Sequence, residues 1–402
     1  MLNCNEARDL IFSSVARFPD DRVPLADACG RVLRQSVTAE RDQPPFDRVT
    51  MDGIAARHAA LASGRREFRI AGTQHAGDDV QTLGALDECI EVMTGSVMPP
   101  GADCVIPVER IEVSGGMARA DDNVDASPGR FIHPQGSDHR EGYRMLAVGH
   151  RIAPVDIALI ASAGLADVAV ARQPRVSVIS TGNELVSAGA PIAPHQVRLS
   201  NGPALMAMLT AEGYMRCQHE HLRDDPERMR QRLAELLAGS DVLVLSGGVS
   251  MGKADFVPGV LKELGVNVVF HGVAQRPGKP MWFGTGPSGQ AVFALPGNPV
   301  STLVCCRHYV LPALLHASGA TPRPPVPIRL GSDFTFAADL TCLLPVRLEV
   351  AHDSEPVAEP VPTNTSGDFT ALSGTDGYVE LARGDTEFPR GSLQPLYRWL
   401  EV

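Results

Sequence analysis

The chain has 402 residues, enough for about two to four domains of ordinary size with apolar cores of their own. With 44% hydrophobic and 21% charged residues, the composition excludes a disordered or fibrous chain. The formal net charge of −11 argues against a surface that coats nucleic acid, so we expect no nucleic-acid partner.

The N-terminus is polar and lacks the apolar core of a signal peptide. The longest apolar stretch, residues 153–171, contains Asp156, Gly164 and Asp167, which is atypical of a membrane span. None of the 8 cysteines forms a Cys-x-x-Cys pair, so the sequence suggests neither a zinc site nor a thioredoxin-type site. We expect a cytoplasmic protein whose cysteines mostly pack in apolar cores.

The N-terminal part of the chain combines a helical pattern with short β-prone runs. Residues 5–35 predict helix, with Asn5 as the N-cap. Short β-prone runs separated by glycine and proline over 51–138 are typical of a small β-barrel or sandwich. A further helix is predicted over 154–163.

Strands and helices alternate over residues 174–320, which predicts a parallel α/β sheet. The expected strands are 176–180, 241–246 and 291–295, and the expected helices are 202–212, 226–238, 257–264 and 300–316. A proline-rich linker over 321–327 leads to a final small β domain over 328–402.

Three strand-to-loop junctions in the α/β segment have an unusual composition. They cover residues 181–185, 246–255 and 296–301. Because parallel strands end at the same edge of a sheet, where ligands bind, we expect the three loops to lie together. The Ser246-Gly247-Gly248-Val249-Ser250 run exposes backbone amides to an oxyanion, and Pro296-Gly297-Asn298-Pro299 leads into a helix whose positive dipole end faces the same edge.

Carboxylates accompany this predicted anion site. Glu184, Asp224 and Asp255 would repel a phosphate unless a cation such as Mg²⁺ bridged them. Arg276 and Lys279 supply positive side chains for the oxyanion. Each loop alone is more often a tight turn, and the Asp224-Asp225 pair alone is more often a helix N-cap, but their co-occurrence favours a nucleotide-like or phosphorylated ligand.

Other catalytic patterns are weaker. The chain contains no Gly-x-Ser-x-Gly elbow, no P-loop and no Rossmann fingerprint, which disfavours nucleophilic hydrolases and kinases. His219 and His221 lie on one side of a strand, but a third metal ligand is not evident, so we expect a surface or sheet-edge role for them.

Six motifs resemble the MoeA and gephyrin E-domain family, the molybdopterin molybdenumtransferases. They follow the family's order and span nearly the whole chain: residues 44–53 (PPFDRVTMDG), 94–103 (TGSVMPPGAD), 180–185 (STGNEL), 246–255 (SGGVSMGKAD), 276–280 (RPGKP) and 295–301 (LPGNPVS).

The resemblance implies a four-part α/β and β architecture. Its expected parts are a discontinuous first domain (1–43 and 139–173), an inserted β domain (44–138), a MogA/MoaB-like molybdopterin-binding α/β domain (174–320) and a C-terminal β-barrel domain (321–402). It implies an enzyme of molybdenum cofactor biosynthesis that uses Mg²⁺, inserts molybdate into adenylylated molybdopterin and releases AMP. It also implies a homodimer whose site joins two subunits, and a molybdopterin adenylyltransferase as the upstream partner.

Motif matching and the composition of the loops together give the expected site residues. The expected catalytic residues are Asp52, Asp138, Glu184, Asp224 and Asp255, of which Glu184, Asp224 and Asp255 also hold the metal. The expected binding residues are Thr94, Ser246, Gly247, Gly248, Ser250, Arg276, Lys279, Pro296, Gly297, Asn298, Pro299 and Ser366. The sequence departs from common family residues at Asn183, Gly272, Arg276 and Asp368, which bears on affinity and on the preferred metal oxyanion.

Three alternatives stay open at the level of sequence. A molybdopterin adenylyltransferase would share the α/β domain, although it needs neither the inserted nor the C-terminal domain. A non-catalytic scaffold of the gephyrin type would tolerate the loss of Asp255. No residue distinguishes a tungsten-directed from a molybdenum-directed enzyme.

Overall fold

The computed structural model describes residues 1–248, 256–350, 355–363, 365 and 367–400. The chain divides into two compact units. The large unit comprises Met1–Arg34, Val148–Ala153 and Asp167–Val402, and the small unit comprises Gln35–Ala147 and Pro154–Ala166. Ser250, Asp255 and Ser366, three of the predicted site residues, lie outside the described residues.

The helices described are α1 Cys4–Ser14, α2 His58–Ala62, α3 Pro154–Ser162, α4 Asn201–Ala211, α5 Pro226–Gly239, α6 Val257–Glu263, α7 Pro299–Cys305 and α8 Leu311–Ala317. A π-helical turn, Cys306–Val310, joins α7 to α8 without a break. We call this continuous stretch, residues 299–317, the long helix. No helix in the described residues is both long enough and apolar enough to cross a membrane.

The strands before the large parallel sheet are β1 Asp20–Pro24, β2 Val37–Thr38, β3 Arg48–Val49, β4 Gly53–Ala56, β5 Glu67–Gln74, β6 Glu88–Val92, β7 Cys104–Pro107, β8 Ile111–Ser114, β9 Met117–Ala120, β10 Ile132–His133, β11 Arg144–Leu146 and β12 Asp167–Ala171. The later strands are β13 Val176–Thr181, β14 Leu185–Val186, β15 Val197–Arg198, β16 Cys217–Leu222, β17 Val242–Ser246, β18 Asn267–His271, β19 Gln275–Arg276, β20 Trp282–Thr285, β21 Ala291–Leu295, β22 Val326–Leu330, β23 Phe334–Thr335, β24 Thr341–Glu349, β25 Val357–Pro360, β26 Gly377–Leu381, β27 Glu387–Phe388 and β28 Leu393–Arg398.

The centre of the large unit is a six-stranded sheet in the order β16-β13-β17-β21-β20-β18. The first four strands are parallel, and β20 and β18 continue the sheet in antiparallel fashion. All residues of β13, β17 and β21 are buried, which is the pattern of strands covered on both faces. The predicted parallel α/β segment is therefore confirmed, and helices 202–212, 226–238, 257–264 and 300–316 match the structure to within a residue or two.

The two-residue period of the strands divides this sheet between two cores. On β17, Val242 and Val244 pack in a core that includes α1, α4 and the long helix. Leu243 and Leu245 pack on the other face, in a core built with α5 and α6. Because helices pack on both faces of these strands, the positions of the strand ends, and so of the loops that follow them, are fixed.

The C-terminal segment forms a closed barrel in the large unit. Its strands follow the order β24-β25-β22-β28-β26, and pairing of β26 with β24 closes it. Leu330, Val346, Val379 and Leu381 are among the apolar side chains that fill its core. The predicted C-terminal β fold is confirmed. Of the 8 cysteines, 6 are buried, Cys217 is half-buried and Cys29 is exposed.

The predicted helix over residues 5–35 is wrong beyond its first part. Helix α1 begins one residue after Asn3, not after Asn5, because the Asn3 side chain accepts the Glu6 amide at 2.9 Å and Glu6 accepts the Asn3 amide at 2.8 Å. The helix ends at Ser14. The following chain contains two prolines and pairs as β1 with the distant strand β12, so tertiary pairing overrides the local helical pattern.

The small unit is built on a six-stranded sheet in the order β7-β4-β6-β5-β9-β8. All six strands lie within the β-prone region predicted over 51–138. Strand β4 is a central strand, and its side chains alternate between two cores: Ile54 and Ala56 on one face and Ala55 on the other. The pairs β2–β11 and β3–β10 and the helices α2 and α3 complete this unit.

Candidate active site

The register of the parallel strands brings the predicted junctions to one edge of the sheet. Ser180 on β13 lies opposite Ser246 on β17, and Ser246 lies opposite Leu295 on β21. The residues that follow these strands therefore leave the sheet side by side. The prediction that the three loops share an edge is confirmed for their described residues. We call this the carboxyl edge.

Asp224 joins the carboxyl edge from a fourth strand. Leu222, the last residue of β16, lies opposite Thr181 at the end of β13. Two residues later, the Asp224 carboxylate accepts the Asn183 amide at 3.1 Å, and the Asn183 side chain accepts the Asp224 amide at 3.2 Å. Asp225 instead caps α5 by accepting the Arg228 amide at 3.2 Å. The two adjacent aspartates thus make different contacts. Asp225 caps a helix, whereas Asp224 connects the loop after β16 to the loop after β13.

Glu184 is the second carboxylate at this edge. Its side chain folds back over Gly182, so closely that a Cβ on Gly182 would lie 2.6 Å from either carboxylate oxygen. Glu184 is solvent-exposed, and the described residues offer it no ion-pair partner. In the described ranges Glu184 and Asp224 do not belong to any three-residue cluster of preformed metal ligands. That donor set still fits Mg²⁺, which commonly takes one or two carboxylates together with substrate phosphate oxygens.

The glycine loop after β17 is packed tightly against Thr181. Gly247 and Gly248 have φ angles of +94° and +68°, in the region that favours glycine. A Cβ on Gly247 would lie 2.8 Å from the Thr181 carbonyl oxygen. The Gly247 amide donates to the Leu295 carbonyl at 3.2 Å, so the expectation that this amide is free for an anion is wrong. The Thr181 hydroxyl is buried and has no hydrogen-bond partner among the described residues.

Asn201, at the start of α4, connects the glycine loop to the loop after β21. Its side-chain nitrogen lies 2.9 Å from the Ser246 hydroxyl and 2.7 Å from the Gly297 carbonyl oxygen. It also lies 3.1 Å from the Thr302 hydroxyl, which itself donates to the Pro296 carbonyl at 2.5 Å. Asn201 was not among the predicted site residues, because an asparagine at a helix start carries no sequence signal of such distant partners.

The loop after β21 and the 276–280 loop complete the edge. Asn298 is the N-cap residue of the long helix and Pro299 its first residue, so the positive end of the helix dipole lies here. Trp282 on β20 lies opposite Ala294 on β21. Residues 276–280, just before β20, therefore reach the same edge, and both Arg276 and Lys279 are exposed.

His219 and His221 support the strand ends. His219 Nε2 lies 3.0 Å from the Ser180 hydroxyl, and burial together with nearby His221 lowers the pKa of His219. His221 Nε2 lies 2.7 Å from the Gly182 carbonyl oxygen. The expected sheet-edge role agrees with these contacts, since β16 is the outer strand of the sheet.

In the small unit the structure brings Asp52 and Thr94 together, 42 residues apart in the chain. The Asp52 carboxylate accepts the Thr94 amide at 2.6 Å and the Thr94 hydroxyl at 2.8 Å. These two hydrogen bonds, the amide first, lower the pKa of Asp52. Asp52 is fully exposed and remains ionised at neutral pH, so it presents a fixed negative charge to the solvent.

Asp138 is oriented by a different chain of contacts in the small unit. Its carboxylate lies 3.0 Å from His133 Nε2, and His133 Nδ1 lies 3.0 Å from an Arg48 guanidinium nitrogen. Because Arg48 can only donate, Nδ1 accepts and Nε2 carries the proton that Asp138 accepts. Strands β3 and β10 hold Arg48 and His133 opposite each other. Arg48 and His133 were not among the predicted site residues.

The chain is therefore a multidomain α/β protein in which carboxylates, a glycine loop and a helix start lie together at the carboxyl edge of a parallel sheet, where such folds bind ligands. Comparison with known proteins makes this specific. Three family models match in chain order: the MoeA N-terminal region (domain I and II) over residues 2–164, a probable molybdopterin binding domain over 177–316, and the MoeA C-terminal region (domain IV) over 327–396.

Full-length relatives agree. A molybdopterin molybdenumtransferase of Synechocystis sp. is 38% identical over 400 residues, which cover 99% of this chain and 100% of the relative. One of Staphylococcus aureus is 30% identical over 96% of this chain and 93% of its own length. The crystal structure of a Pyrococcus horikoshii molybdopterin biosynthesis MoeA protein superposes with a TM-score of 0.82 at 29% identity, over 100% of both chains. The chain therefore belongs to the MoeA family of molybdopterin molybdenumtransferases and is a transferase of molybdenum cofactor biosynthesis.

Proposed function

We propose that this chain inserts molybdenum from molybdate into adenylylated molybdopterin and releases AMP. The observation that carries the proposal is the strand register, which gathers Glu184, Asp224, the glycine loop and the start of the long helix at one edge. A nucleotide-capped pterin needs such an arrangement, because its phosphates require donors and its cleavage requires compensation of negative charge.

The binding groups come from three loops. The amides of Gly248 and Ser250 and the dipole of the helix that begins at Pro299 bind the phosphates. Arg276 and Lys279 neutralise oxyanion charge, and Asn201 keeps the loops in register through its contact to Gly297. Pro296 and Asn298 precede the helix, and Pro299 at its first position favours the start there.

The acidic side chains bind the divalent cation. Glu184, Asp224 and Asp255 are the residues that would hold Mg²⁺. When bound, the ion offsets negative charge that builds up on the phosphoanhydride during cleavage. Asn183 holds the Asp224 carboxylate in place through its backbone amide, so the ligand is oriented before substrate arrives.

Asp52, Thr94 and Asp138 belong to the same proposed chemistry, together with Ser366. The ionised Asp52 and the His133-oriented Asp138 provide fixed acceptors for hydrogen bonds from the substrate. We further propose a cytoplasmic homodimer in which Asp52, Thr94 and Asp138 of one subunit face the carboxyl edge of its partner, and a molybdopterin adenylyltransferase that supplies the substrate. The proposed domains are 1–43 with 139–173, 44–138, 174–320 and 321–402.

A turnover assay tests the proposal directly. The purified chain is incubated with adenylylated molybdopterin, molybdate and Mg²⁺, and released AMP and pterin-bound molybdenum are measured. We expect both products to appear together and to disappear when EDTA replaces Mg²⁺. Replacing molybdate by tungstate in a parallel reaction measures the oxyanion preference.

The same assay separates the alternative functions. An adenylyltransferase would instead consume ATP and molybdopterin and form pyrophosphate. A scaffold would release no AMP above the rate without protein, and that outcome would contradict the proposed enzyme activity.

A further inference from the structure

A second cluster of ligating side chains lies away from the carboxyl edge, within the large unit. The Cys4 thiol, the His308 imidazole and the Glu380 carboxylate each present one ligand atom, and these atoms lie within 4.8 Å of one another. Across the described ranges this is the one group of three or more His, Cys, Asp or Glu side chains that meets this geometry. The cluster takes one residue from each of α1, the long helix and β26.

His308 has a buried ring nitrogen without a hydrogen bond. Its side chain is 0% exposed, and Nδ1 lies 3.0 Å from the Tyr378 hydroxyl. Nε2 has no hydrogen-bond partner among the described residues, and Glu380 Oε2 is 4.0 Å away. A buried polar atom without a partner lowers the stability of the fold, so a partner bound within the cluster would stabilise Nε2. Burial, then Arg8 and Arg307, lower the pKa of His308 to about 3, which keeps the ring neutral and its lone pair available.

The other two ligand groups are also held in place. The Cys4 thiol is buried and lies 3.4 Å from the Gln275 side-chain oxygen, and burial raises its pKa. Glu380 accepts the Tyr397 hydroxyl at 2.8 Å. The Glu380 side chain is 16% exposed, so the cluster can be reached from the surface on that side.

We propose that Cys4, His308 and Glu380 bind one Zn²⁺ ion. Sulfur, imidazole nitrogen and carboxylate oxygen are the ligands that zinc takes in proteins, whereas Mg²⁺ prefers oxygen alone. On binding, the Cys4 thiol gives its proton to solvent and the thiolate bonds to the metal. Zn²⁺ together with one thiolate, one carboxylate and one neutral imidazole carries no net charge. A water that enters beside Glu380 supplies the fourth ligand.

Two structural features favour this site. His308 Nδ1–H can donate a hydrogen bond to the Tyr378 hydroxyl, as zinc-bound histidines do to their outer partners, which leaves Nε2 for the metal. His308 also lies in the π-helical turn of the long helix, and such turns are frequent at functional sites. The ion would tie α1, the long helix and the barrel together, so its role is to stabilise the large unit.

Cobalt titration tests the proposal without reference to catalysis. The full-length chain is stripped of metal with EDTA, dialysed and titrated with Co²⁺ alone. We expect one equivalent to bind with a thiolate-to-cobalt absorption band and to be displaced by Zn²⁺. Cobalt bound at the carboxylates of the carboxyl edge lacks that band, so the two sites are distinguishable.

Variants assign the band. Cys4→Ser should abolish the sulfur band and weaken binding by about 100-fold or more, and Glu380→Gln should keep the band but weaken binding by about 10- to 100-fold. The matched control is Cys306→Ala, which removes a buried thiol of the same core. It should leave the band unchanged.

The wild-type titration alone can overturn the proposal, whether or not a variant folds. A metal-stripped, folded wild-type chain that takes up Co²⁺ without a sulfur band contradicts the site, as does a band that survives Cys4→Ser. Circular dichroism on the same samples checks that the chain is folded.

Discussion

Asp224→Asn should lower the rate of AMP release by about 100-fold or more, with little change in the stability of the fold. The Asn183 amide needs only an oxygen acceptor at position 224, and an asparagine side chain still offers one. The substitution therefore removes the negative charge and keeps the contact. We also expect the Mg²⁺ concentration for half-maximal rate to rise, because one of the proposed metal ligands has lost its charge.

The neighbouring residue is a matched control. Asp225 caps α5, and asparagine is an equally good N-cap, so Asp225→Asn should change the rate less than about 2-fold and the stability by less than about 0.5 kcal/mol. Both variants lose one carboxylate from the same short segment. Equal losses of activity in the two variants would show that general charge, rather than metal binding by Asp224, is what matters.

Gly53→Ala should destabilise the small unit by about 3 kcal/mol and abolish most of the activity. A Cβ at this position would lie 1.9 Å from the Ile106 carbonyl oxygen, and backbone cannot yield by that amount without separating β4 from β7. Gly53 pairs with Pro107 on one side and Val92 on the other. Asp52 directly precedes it, so displacement of β4 also displaces the carboxylate that Thr94 holds.

Two other glycines separate crowding from backbone strain. Gly64, in the same unit, has a φ of +93° and open space around its Cβ position, so Gly64→Ala should cost only about 1 kcal/mol. Gly239, at the end of α5, has open space and no positive φ, so Gly239→Ala should be close to neutral. Urea unfolding and AMP release are measured for all three. A Gly53→Ala chain as stable as Gly64→Ala would contradict the close contact with Ile106.

The carboxyl edge could be predicted because its signal is local. Continuous apolar strands such as Val242–Ser246 alternate with amphipathic helices, and parallel strands must end together. Three junctions of unusual composition then have only one place to meet. The end of α1 could not be predicted in the same way, because the strand that replaces the expected helix pairs with β12, far along the chain.

The contacts that orient the site are long-range, and composition does not reveal them. Asn201 contacts Thr302, 101 residues away, and Thr94 contacts Asp52, 42 residues away. Only the family resemblance pointed to Asp52 and Thr94. The cluster of Cys4, His308 and Glu380 could not be predicted from sequence for the same reason. Its three residues lie on three elements, and no Cys-x-x-Cys spacing indicates it.

The most direct measurement is a crystal structure of this chain with adenylylated molybdopterin and Mg²⁺ bound. The phosphates should contact the loop that follows Ser246 and the start of the helix at Pro299, with the cation between them and Glu184 and Asp224. A substrate bound elsewhere on the chain, with those two carboxylates left in solvent, would contradict the account.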